Sequence, residues 1–268
     1  MKLRWRFATS FIGVLVATTA ASAQWVNYPT PGIPRSADGK PDLAAPAPHT
    51  PDGRIDLTGV WAVPGILGRV DVGNVPAPNR FDLNIASDVP DGPPLTPWGR
   101  AIADERRRGL SRDLPSARCL PAGLPQDMLR PLMPFKIAQT PAFTIILIEE
   151  FNNWRQVFTD GRPLPADPEP AWLGYSVGRW EKDDFVIETA GFNDKSWLDA
   201  GGTPHTDALR TTERFRRRDF GHMDAEFIFD DPKTFTRRWS QTVKFVLLPD
   251  TDLLESHCDN NKWKPEGR

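Results

Sequence analysis

The sequence has little cysteine and histidine, and no long apolar segment follows its N-terminal region. Its two cysteines, Cys119 and Cys258, form no C-x-x-C pair, which gives a thioredoxin-like or zinc-binding function little support. A metal site would need His205 and His222 to meet at a carboxylate, and we predict none. No glycine-rich loop follows a strand and opens a helix, so the sequence predicts neither a nucleotide site nor an organic cofactor.

The first residues have the three parts of a secretory signal peptide. Three basic side chains among residues 1–6 precede an apolar run over residues 7–20, and Ala-Ser-Ala follows at residues 21–23. This pattern predicts cleavage after Ala23 and a periplasmic or secreted protein, with no stable membrane insertion after cleavage. The alternative is an uncleaved anchor, although the apolar run is shorter than the roughly 20 residues of a membrane span.

The charge of the mature protein limits its partners. Removal of residues 1–23 takes away three basic and no acidic residues, so the formal charge changes from −2 to −5. A mildly acidic protein has no general electrostatic attraction to nucleic acid. We therefore predict a small-molecule ligand or substrate and no nucleic-acid partner.

The composition divides the mature chain into an arm and one domain. Residues 24–54 are dense in Pro, Ala and small polar residues, which predicts an extended arm on the domain or a disordered segment. Residues 55–268 are long enough for a single domain with its own core. One helix is predicted from Pro97 to Gly109, with Thr96 as its N-cap and Pro97 in its first turn.

Alternation of apolar and polar residues dominates the chain after Pro141 and predicts β-strands. Three predicted strand pairs turn at residues 151–153, 182–183 and 220–221, and the segment 239–258 is predicted to supply two more strands. Short strands in succession indicate a mainly β fold, either an antiparallel barrel or a sandwich, with an irregular Pro-rich arm and one or two short helices.

Two resemblances accompany this pattern. Gly59-Val60-Trp61, at the head of the first predicted strand, resembles the G-x-W signature of lipocalin-like barrels and implies such a barrel. A larger part of the chain resembles a family of exported bacterial proteins of unassigned function, which implies a stable exported domain and assigns no catalytic residue. The segments that carry the second resemblance are LTPWG (95–99), SARCLP (116–121), FTDGRPLP (158–165), WLGYSVGRWE (172–181), DFGHM (219–223) and CDNNKW (258–263).

The long connection over residues 193–208 is the first candidate for a functional site. Connections of more than about 12–15 residues are often lids or binding loops. This one contains His205 together with Asp194 and Asp199, and a histidine beside carboxylates can act as a general acid or base near neutral pH. The alternative is an ordinary surface loop in which the aspartates cap turns.

Glu213 is the second candidate, because it shares the apolar face of its predicted strand with Leu209 and Phe215. A buried carboxylate must be paired or protonated. In a barrel this face lines the interior, which predicts an acid of raised pKa or a ligand anchor. The alternative is an internal salt bridge to an arginine.

The G-x-S-x-G match at residues 174–178 lacks the context of a hydrolase nucleophile. Such a nucleophile needs a buried strand before the serine and a helix after it. Here a Pro-rich segment precedes Ser176 and a predicted strand follows it. We therefore do not assign Ser176 as a nucleophile.

Two functions remain open. The first is a cofactor-independent enzyme doing acid/base chemistry, as a lyase, isomerase, hydratase or hydrolase, on a small apolar or glycoside-like molecule. The second is a binding protein that holds such a molecule in a lipocalin-like barrel without changing it. Aromatic side chains suit either kind of ligand. The catalytic candidates are His205, Glu213, Asp199 and Asp194, and the ligand-binding candidates are Trp197, Arg210 and Tyr175.

In an exported protein, Cys119 and Cys258 most simply form one structural disulfide, and two buried free thiols are the alternative. We expect non-reducing peptide mapping of the exported protein to recover a peptide in which Cys119 is linked to Cys258. Recovery of two thiols that can be alkylated without denaturant would contradict the disulfide.

Overall fold

The computed structural model describes residues 29–64, 80–130 and 133–258. The predicted signal peptide and the first residues of the predicted arm lie outside this range. Nine strands within the described residues form one closed barrel, which confirms the predicted mainly β fold. They are β1 (Gly59–Ala62), β2 (Phe135–Gln139), β3 (Phe143–Ile148), β4 (Asn153–Phe158), β5 (Tyr175–Glu181), β6 (Asp184–Ala190), β7 (Arg210–Arg217), β8 (His222–Asp230) and β9 (Trp239–Leu247).

Helices within the described residues are few and mostly short. They are α1 (Arg80–Leu83), α2 (Pro97–Arg108) and α3 (Gln126–Leu129), with 3₁₀ turns at Pro115–Arg118 and Glu150–Asn152. Helix α2 confirms the helix predicted from the sequence. The Thr96 hydroxyl accepts a hydrogen bond from the Gly99 N–H at 3.1 Å, and so satisfies one of the free N–H groups of the first turn.

Strand order around the barrel follows the chain, and β9 pairs with β1 to close it. Every neighbouring pair is antiparallel except β4 and β5, which run parallel through Val157–Phe158 and Ser176–Val177. A closed ring with an odd number of strands cannot alternate direction at every step, so one pair has to be parallel. The barrel therefore differs from the predicted antiparallel one at this pair, where residues 159–174 cross from one end of the barrel to the other.

Strand directions sort the connections onto two ends of the barrel. The cap end carries the described parts of the β1–β2 connection, including α1, α2 and α3, together with residues 149–152, 191–209 and 231–238. The arm end carries the short turns at 140–142, 182–183 and 218–221, and it receives the N-terminal arm. Candidate functional residues of the long 191–209 connection therefore lie at the cap end.

Aromatic side chains fill much of the barrel interior. Phe135 packs edge-on against Phe245, Phe215 packs edge-on against Phe227, and Phe229 stacks on Trp239 at 4.6 Å between ring centroids. Gly178 is required beside them, because a Cβ there would lie 2.7 Å from the Phe185 ring. These contacts make the interior a packed core, in which side chains occupy the space that a carrier barrel leaves for its ligand. The fully buried aromatic side chains are Trp61, Phe135, Phe185, Phe192, Phe215, Phe227, Phe229 and Phe245.

One ion pair interrupts this apolar interior. The Arg155 guanidinium donates two hydrogen bonds to the Glu213 carboxylate, at 2.7 and 2.8 Å, and both side chains are buried. Arg155 also donates to the hydroxyls of Ser176 at 2.9 Å and Thr189 at 2.6 Å. The structure therefore contains the internal salt bridge that the sequence left open for Glu213, and Ser176 serves as an acceptor within it.

The N-terminal arm lies across the arm end of the barrel. The backbone N–H groups of Phe220 and Gly221 donate to the carbonyls of Ala45 and Leu43, at 2.7 and 2.8 Å. Arg217 donates to the carbonyls of Asp56 and Phe220 while its guanidinium lies 4.9 Å from the centroids of both the Trp61 and Phe220 rings. Trp61, from the G-x-W sequence, therefore helps to close this end. The closed nine-strand barrel as a whole is compatible with a lipocalin-like barrel.

The C-terminal tail returns from the arm end to the cap end along the outside of the barrel. The prediction of a second strand within 239–258 is wrong: Leu248 and Leu253 pack on the outer side of β1, against Val60 and Ala62. The Leu254 N–H then donates to the Glu149 carboxylate at 2.9 Å. At Cys258 the tail forms the predicted disulfide with Cys119, and the Cα atoms of the two cysteines lie 5.4 Å apart.

Breaking the interior ion pair should destabilise the fold strongly, because the remaining guanidinium would be buried without its counter-charge. We expect Glu213→Gln to lower the free energy of unfolding by about 3–5 kcal/mol, and the double change Glu213→Leu with Arg155→Met to recover much of that loss. Urea unfolding followed by circular dichroism measures both. Glu188→Gln, at an exposed pair with Arg179, is the control and should cost far less. An equally stable Glu213→Gln protein would contradict this role.

Candidate active site at the cap end

Asp199 anchors the 191–209 connection to the rest of the cap. Its buried carboxylate accepts hydrogen bonds from the Ile85 N–H at 3.0 Å and from the Thr203 N–H and hydroxyl at 3.0 and 2.7 Å. Burial raises the pKa of Asp199, and these hydrogen bonds oppose the rise. The Ala200 N–H also donates to the Asp82 carbonyl at 2.7 Å. The connection is therefore an ordered part of the cap, held by the segment that follows β1.

His205 and Ser196 form a buried hydrogen-bonded pair within this connection. The Ser196 Oγ lies 2.7 Å from His205 Nε2, and His205 Nδ1 lies 3.1 Å from the Thr206 carbonyl oxygen. A carbonyl only accepts, so Nδ1 carries the proton and Nε2 accepts from the serine hydroxyl. His205 is 3% exposed, and burial lowers its pKa. The imidazole is therefore a neutral base aimed at a serine hydroxyl.

Gly123 brings a second segment of the cap against this pair. A Cβ at Gly123 would lie 2.4 Å from the Cβ and Oγ of Ser196, and its φ of +91° also favours glycine. The N–H groups of Ala122 and Gly123 donate to the Asp127 carboxyl at 3.0 and 3.3 Å. The close approach at Gly123 therefore places Ser196 beside the short loop whose backbone Asp127 binds.

Asp127 and Glu150 form a buried pair of carboxyl groups. Burial and the neighbouring Glu150 charge raise the pKa of Asp127 well above its ordinary value. Burial also raises the pKa of Glu150, although Arg130 opposes that rise. The Glu150 charge adds to the effect of burial at Asp127, whereas Arg130 opposes the effect of burial at Glu150, so Asp127 is the carboxyl group of the pair that keeps its proton to higher pH.

Arg130 links this pair to a third carboxylate. Its Nε donates to Glu150 at 3.0 Å, and its Nη1 donates to Asp82 at 3.3 Å. The side chain of Arg130 is 21% exposed, more than those of Asp82 and Glu150. Burial raises the pKa of Asp82, and Arg130 again opposes the rise. Arg130 is thus the member of the cluster nearest to solvent.

These groups provide a base and an acid in one buried region. Neutral His205 can accept a proton near neutral pH, and Asp127 can hold one at a pH where an exposed aspartate has lost it. A low-dielectric setting strengthens the electrostatic effect of each group on a reacting molecule. Titratable groups whose environments shift their pKa values in this way are typical of catalytic sites.

The other residues predicted for the site make no hydrogen bond to these acid and base groups. Asp194 and Arg210 are exposed, and the Asp194 charge acts on His205 by raising its pKa against the larger effect of burial. Trp197 is buried, and the guanidinium carbon of Arg106 lies 4.3 Å from the centroid of the Trp197 ring. Tyr175 stacks on Phe158, and its hydroxyl accepts from Arg162 at 3.2 Å. Glu213 lies inside the barrel in its pair with Arg155. Of the predicted residues, His205 and Asp199 are therefore the two in the cap cluster.

Sequence reasoning missed Ser196, Asp127 and Glu150. Ser196 lies nine residues before His205, a spacing that carries no known motif. Asp127 follows a Pro- and Gly-rich segment and precedes Met128, and Glu150 follows an apolar strand pattern and precedes Phe151, so an acidic residue next to an apolar one was the available signal at each position. Nothing in the local sequence indicates that residues 127 and 150 meet.

Comparisons with protein-family models, curated proteins and solved structures gave no match. Within residues 29–64, 80–130 and 133–258, no group of histidine, cysteine and acidic side chains is arranged to hold a metal ion. In the same part of the chain, no helix has the length and apolar character to cross a bilayer. The chemistry of the cap end has to be inferred from its own side chains.

The lowered pKa of His205 makes stability depend on pH. Below about pH 6.5 a histidine in the unfolded chain takes up a proton, whereas buried His205 does not. The free energy of unfolding therefore decreases as the pH is lowered, by up to about 1.4 kcal/mol per pH unit, until the pH reaches the pKa of His205 in the folded protein. We expect His205→Gln to lose this component. Urea unfolding at about pH 5.5 and pH 7.5 measures it, with exposed His257→Gln as the control. Equal pH dependence in wild type and His205→Gln would contradict the burial of a neutral imidazole.

Proposed function

We propose that the protein is an exported enzyme that does acid/base chemistry on a small molecule at the cap end, without an organic cofactor. The observation that carries this proposal is that a candidate base and a candidate acid lie close together, on either side of Gly123. On one side, Ser196 donates to the neutral imidazole of His205; on the other, Asp127 is a buried acid of raised pKa that binds the N–H groups of Ala122 and Gly123. An isolated buried histidine or a single ion pair would have a purely structural explanation, whereas this combination is poised for proton transfer in both directions.

The roles of the residues follow from their protonation states. His205 is the base, because its Nε2 lone pair accepts from the Ser196 hydroxyl and Nδ1–H is held by the Thr206 carbonyl. Asp127 is the acid, because burial and the neighbouring Glu150 charge raise its pKa, while Arg130 compensates the charge of Glu150. Removal of a proton by one group and protonation of an oxygen by another is the chemistry of a lyase, hydratase or isomerase, and a hydrolase is the further possibility.

Access requires the 191–209 connection to move. Ser196 is 0% exposed, so a substrate reaches His205 only when the contact of Ser196 with Gly123 opens. The Ala200 N–H to Asp82 bond would break in the same motion. Opening of this kind is typical of lids that exclude water from a reaction.

A second candidate is a binding protein that holds its ligand without chemistry. The observation that favours it is a groove of about 420 Å³ at the arm end, between the arm (residues 30–33) and the barrel, lined largely by apolar residues such as Val60, Phe220 and Leu248. This volume falls within the range of small-molecule sites. A carrier of this kind would use the outside of the barrel, because aromatic side chains occupy its interior.

We further propose a periplasmic or secreted location and a small-molecule partner, with no nucleic acid. The signal-peptide pattern of residues 1–23 supports export, and the Cys119–Cys258 disulfide is typical of oxidising compartments.

Depletion of a metabolite separates catalysis from capture. The purified mature protein is incubated with small-molecule extracts, and mass spectrometry follows both the loss of compounds and the gain of products. We expect Asp127→Asn and His205→Gln to fold, as judged by circular dichroism, and to lower turnover roughly 10²- to 10⁴-fold, the range for loss of one positioned acid or base. The exposed substitutions Asp167→Asn and His257→Gln are the matched controls. Wild-type turnover by both active-site variants would refute the proposal, and a bound compound without product would support the carrier.

A further inference from the structure

Gln126 is the side chain of the cap cluster in which both polar atoms, Oε1 and Nε2, are buried without a hydrogen-bond partner of ordinary geometry among the described residues. It is 0% exposed, at the start of α3, next to Asp127. The amide nevertheless faces the Asp82 carboxylate closely enough to lower that carboxyl's pKa. Buried amides in native proteins are almost always hydrogen-bonded, so an unsatisfied one calls for a ligand or a functional reason.

Arg130 offers a further free donor beside this amide. Its Nε and Nη1 are used by Glu150 and Asp82, which leaves Nη2 without an acceptor among the described residues. Arg130 is also the part-exposed member of the cluster. Gln126 and Arg130 both lie against the Asp82 carboxylate, so the Gln126 amide, with its acceptor and donors, and the Arg130 Nη2 donor lie on either side of the same carboxylate. A hydroxyl group, which donates once and accepts through its lone pairs, is complementary to such a mixed set.

The charge of the cluster decides between kinds of polar ligand. With Asp127 protonated, Asp82 and Glu150 contribute two negative charges and Arg130 one positive charge, so the cluster is net negative. Bringing a carboxylate or phosphate into it would place like charges together in a region of low dielectric, which is unfavourable. A neutral ligand with several hydroxyls satisfies the free amide and guanidinium groups without that repulsion.

We propose that Gln126, Asp82 and Arg130 form the recognition subsite for a neutral, hydroxyl-rich molecule such as a glycoside or a polyol. The subsite places the substrate's hydroxyls beside the Asp127–Glu150 pair. Its catalytic meaning rests on the proposed function, but its existence is a statement about binding and is tested without turnover.

The test uses the purified mature protein and a panel of defined probes. Ligand-observed NMR measures binding of methyl glycosides and inositol, with glucuronate and glucosamine as the matched acidic and basic probes. We expect at least one neutral probe to bind wild-type protein at least tenfold more tightly than glucuronate. Binding of glucuronate or glucosamine with no neutral probe bound, or no binding by any probe, would overturn the proposed ligand class.

Gln126→Met separates recognition from a structural role, because methionine has a similar size and no hydrogen-bonding amide. We expect its midpoint of urea unfolding to equal or exceed that of wild type, while affinity for the neutral probe falls at least tenfold. Gln156→Met, on the outer side of β4, is the control and should change neither quantity. A lowered midpoint would indicate that the amide is structural, and unchanged affinity would remove Gln126 from the subsite; either result overturns the assignment.

The outcomes distinguish this subsite from the enzymatic proposal. Loss of probe binding in Gln126→Met, with wild-type turnover in Asp127→Asn and His205→Gln, would leave the subsite standing and refute the acid/base roles. If turnover depends on Asp127 and His205 but the substrate has no hydroxyl groups, the acid/base roles would stand and the subsite would be refuted.

Discussion

Closure of the barrel is the constraint on which the rest of the structure depends. Nine strands close only if one neighbouring pair is parallel, and here that pair is β4 and β5. Residues 159–174 cross the barrel between these two parallel strands. Every other connection therefore starts and finishes at the same end of the barrel. The described β1–β2 segment, the 149–152 turn and the 191–209 connection all fall at the cap end. Groups from residues 82, 127, 150, 196 and 205 can meet only because closure places these segments together.

The protein treats buried polar groups in two different ways. Arg155 and Glu213 inside the barrel satisfy one another and draw in Ser176 and Thr189, which is what a stable buried ion pair needs. At the cap end, by contrast, Asp127 is a buried acid of raised pKa, and the Gln126 amide lacks a hydrogen-bond partner of ordinary geometry within the described part of the chain. A protein loses stability when buried polar groups lack hydrogen-bond partners. Such groups are commonly found where a ligand or a reaction uses them.

Most predictions that rest on local pattern were confirmed. Alternation placed β5 and β6 on either side of the 182–183 turn, and Thr96 with Pro97 fixed the start of α2. The Cys119–Cys258 pairing followed from there being two cysteines in a chain that is predicted to be exported. The second C-terminal strand was wrong, because Leu248 and Leu253 obtain their burial on the outer side of β1 without pairing as a strand. Apolar residues indicate that a segment is buried, but they do not show which surface of the protein it packs against.

The cap cluster could be predicted only in part. His205 and Asp199 stand out in a long connection, whereas Asp127 and Glu150 come from segments whose meeting depends on barrel closure and on the approach at Gly123. Glu213 was recognised as buried, but period-two alternation could not show that Arg155, 58 residues earlier, faces it across the interior. Contacts between distant segments carry no local signal in one sequence.

The central claim, a protonated Asp127 beside a neutral imidazole, can be measured directly in the folded protein. Carbon-detected NMR of the Asp127 and Glu150 carboxyl groups, with nitrogen NMR of His205, follows all three protonation states as the pH changes. We predict that at about pH 6 Asp127 still holds its proton, while His205 is neutral with its proton on Nδ1, because burial raises the pKa of Asp127 and lowers that of His205. Two fully ionised carboxylates, or a protonated imidazolium, at that pH would contradict the account.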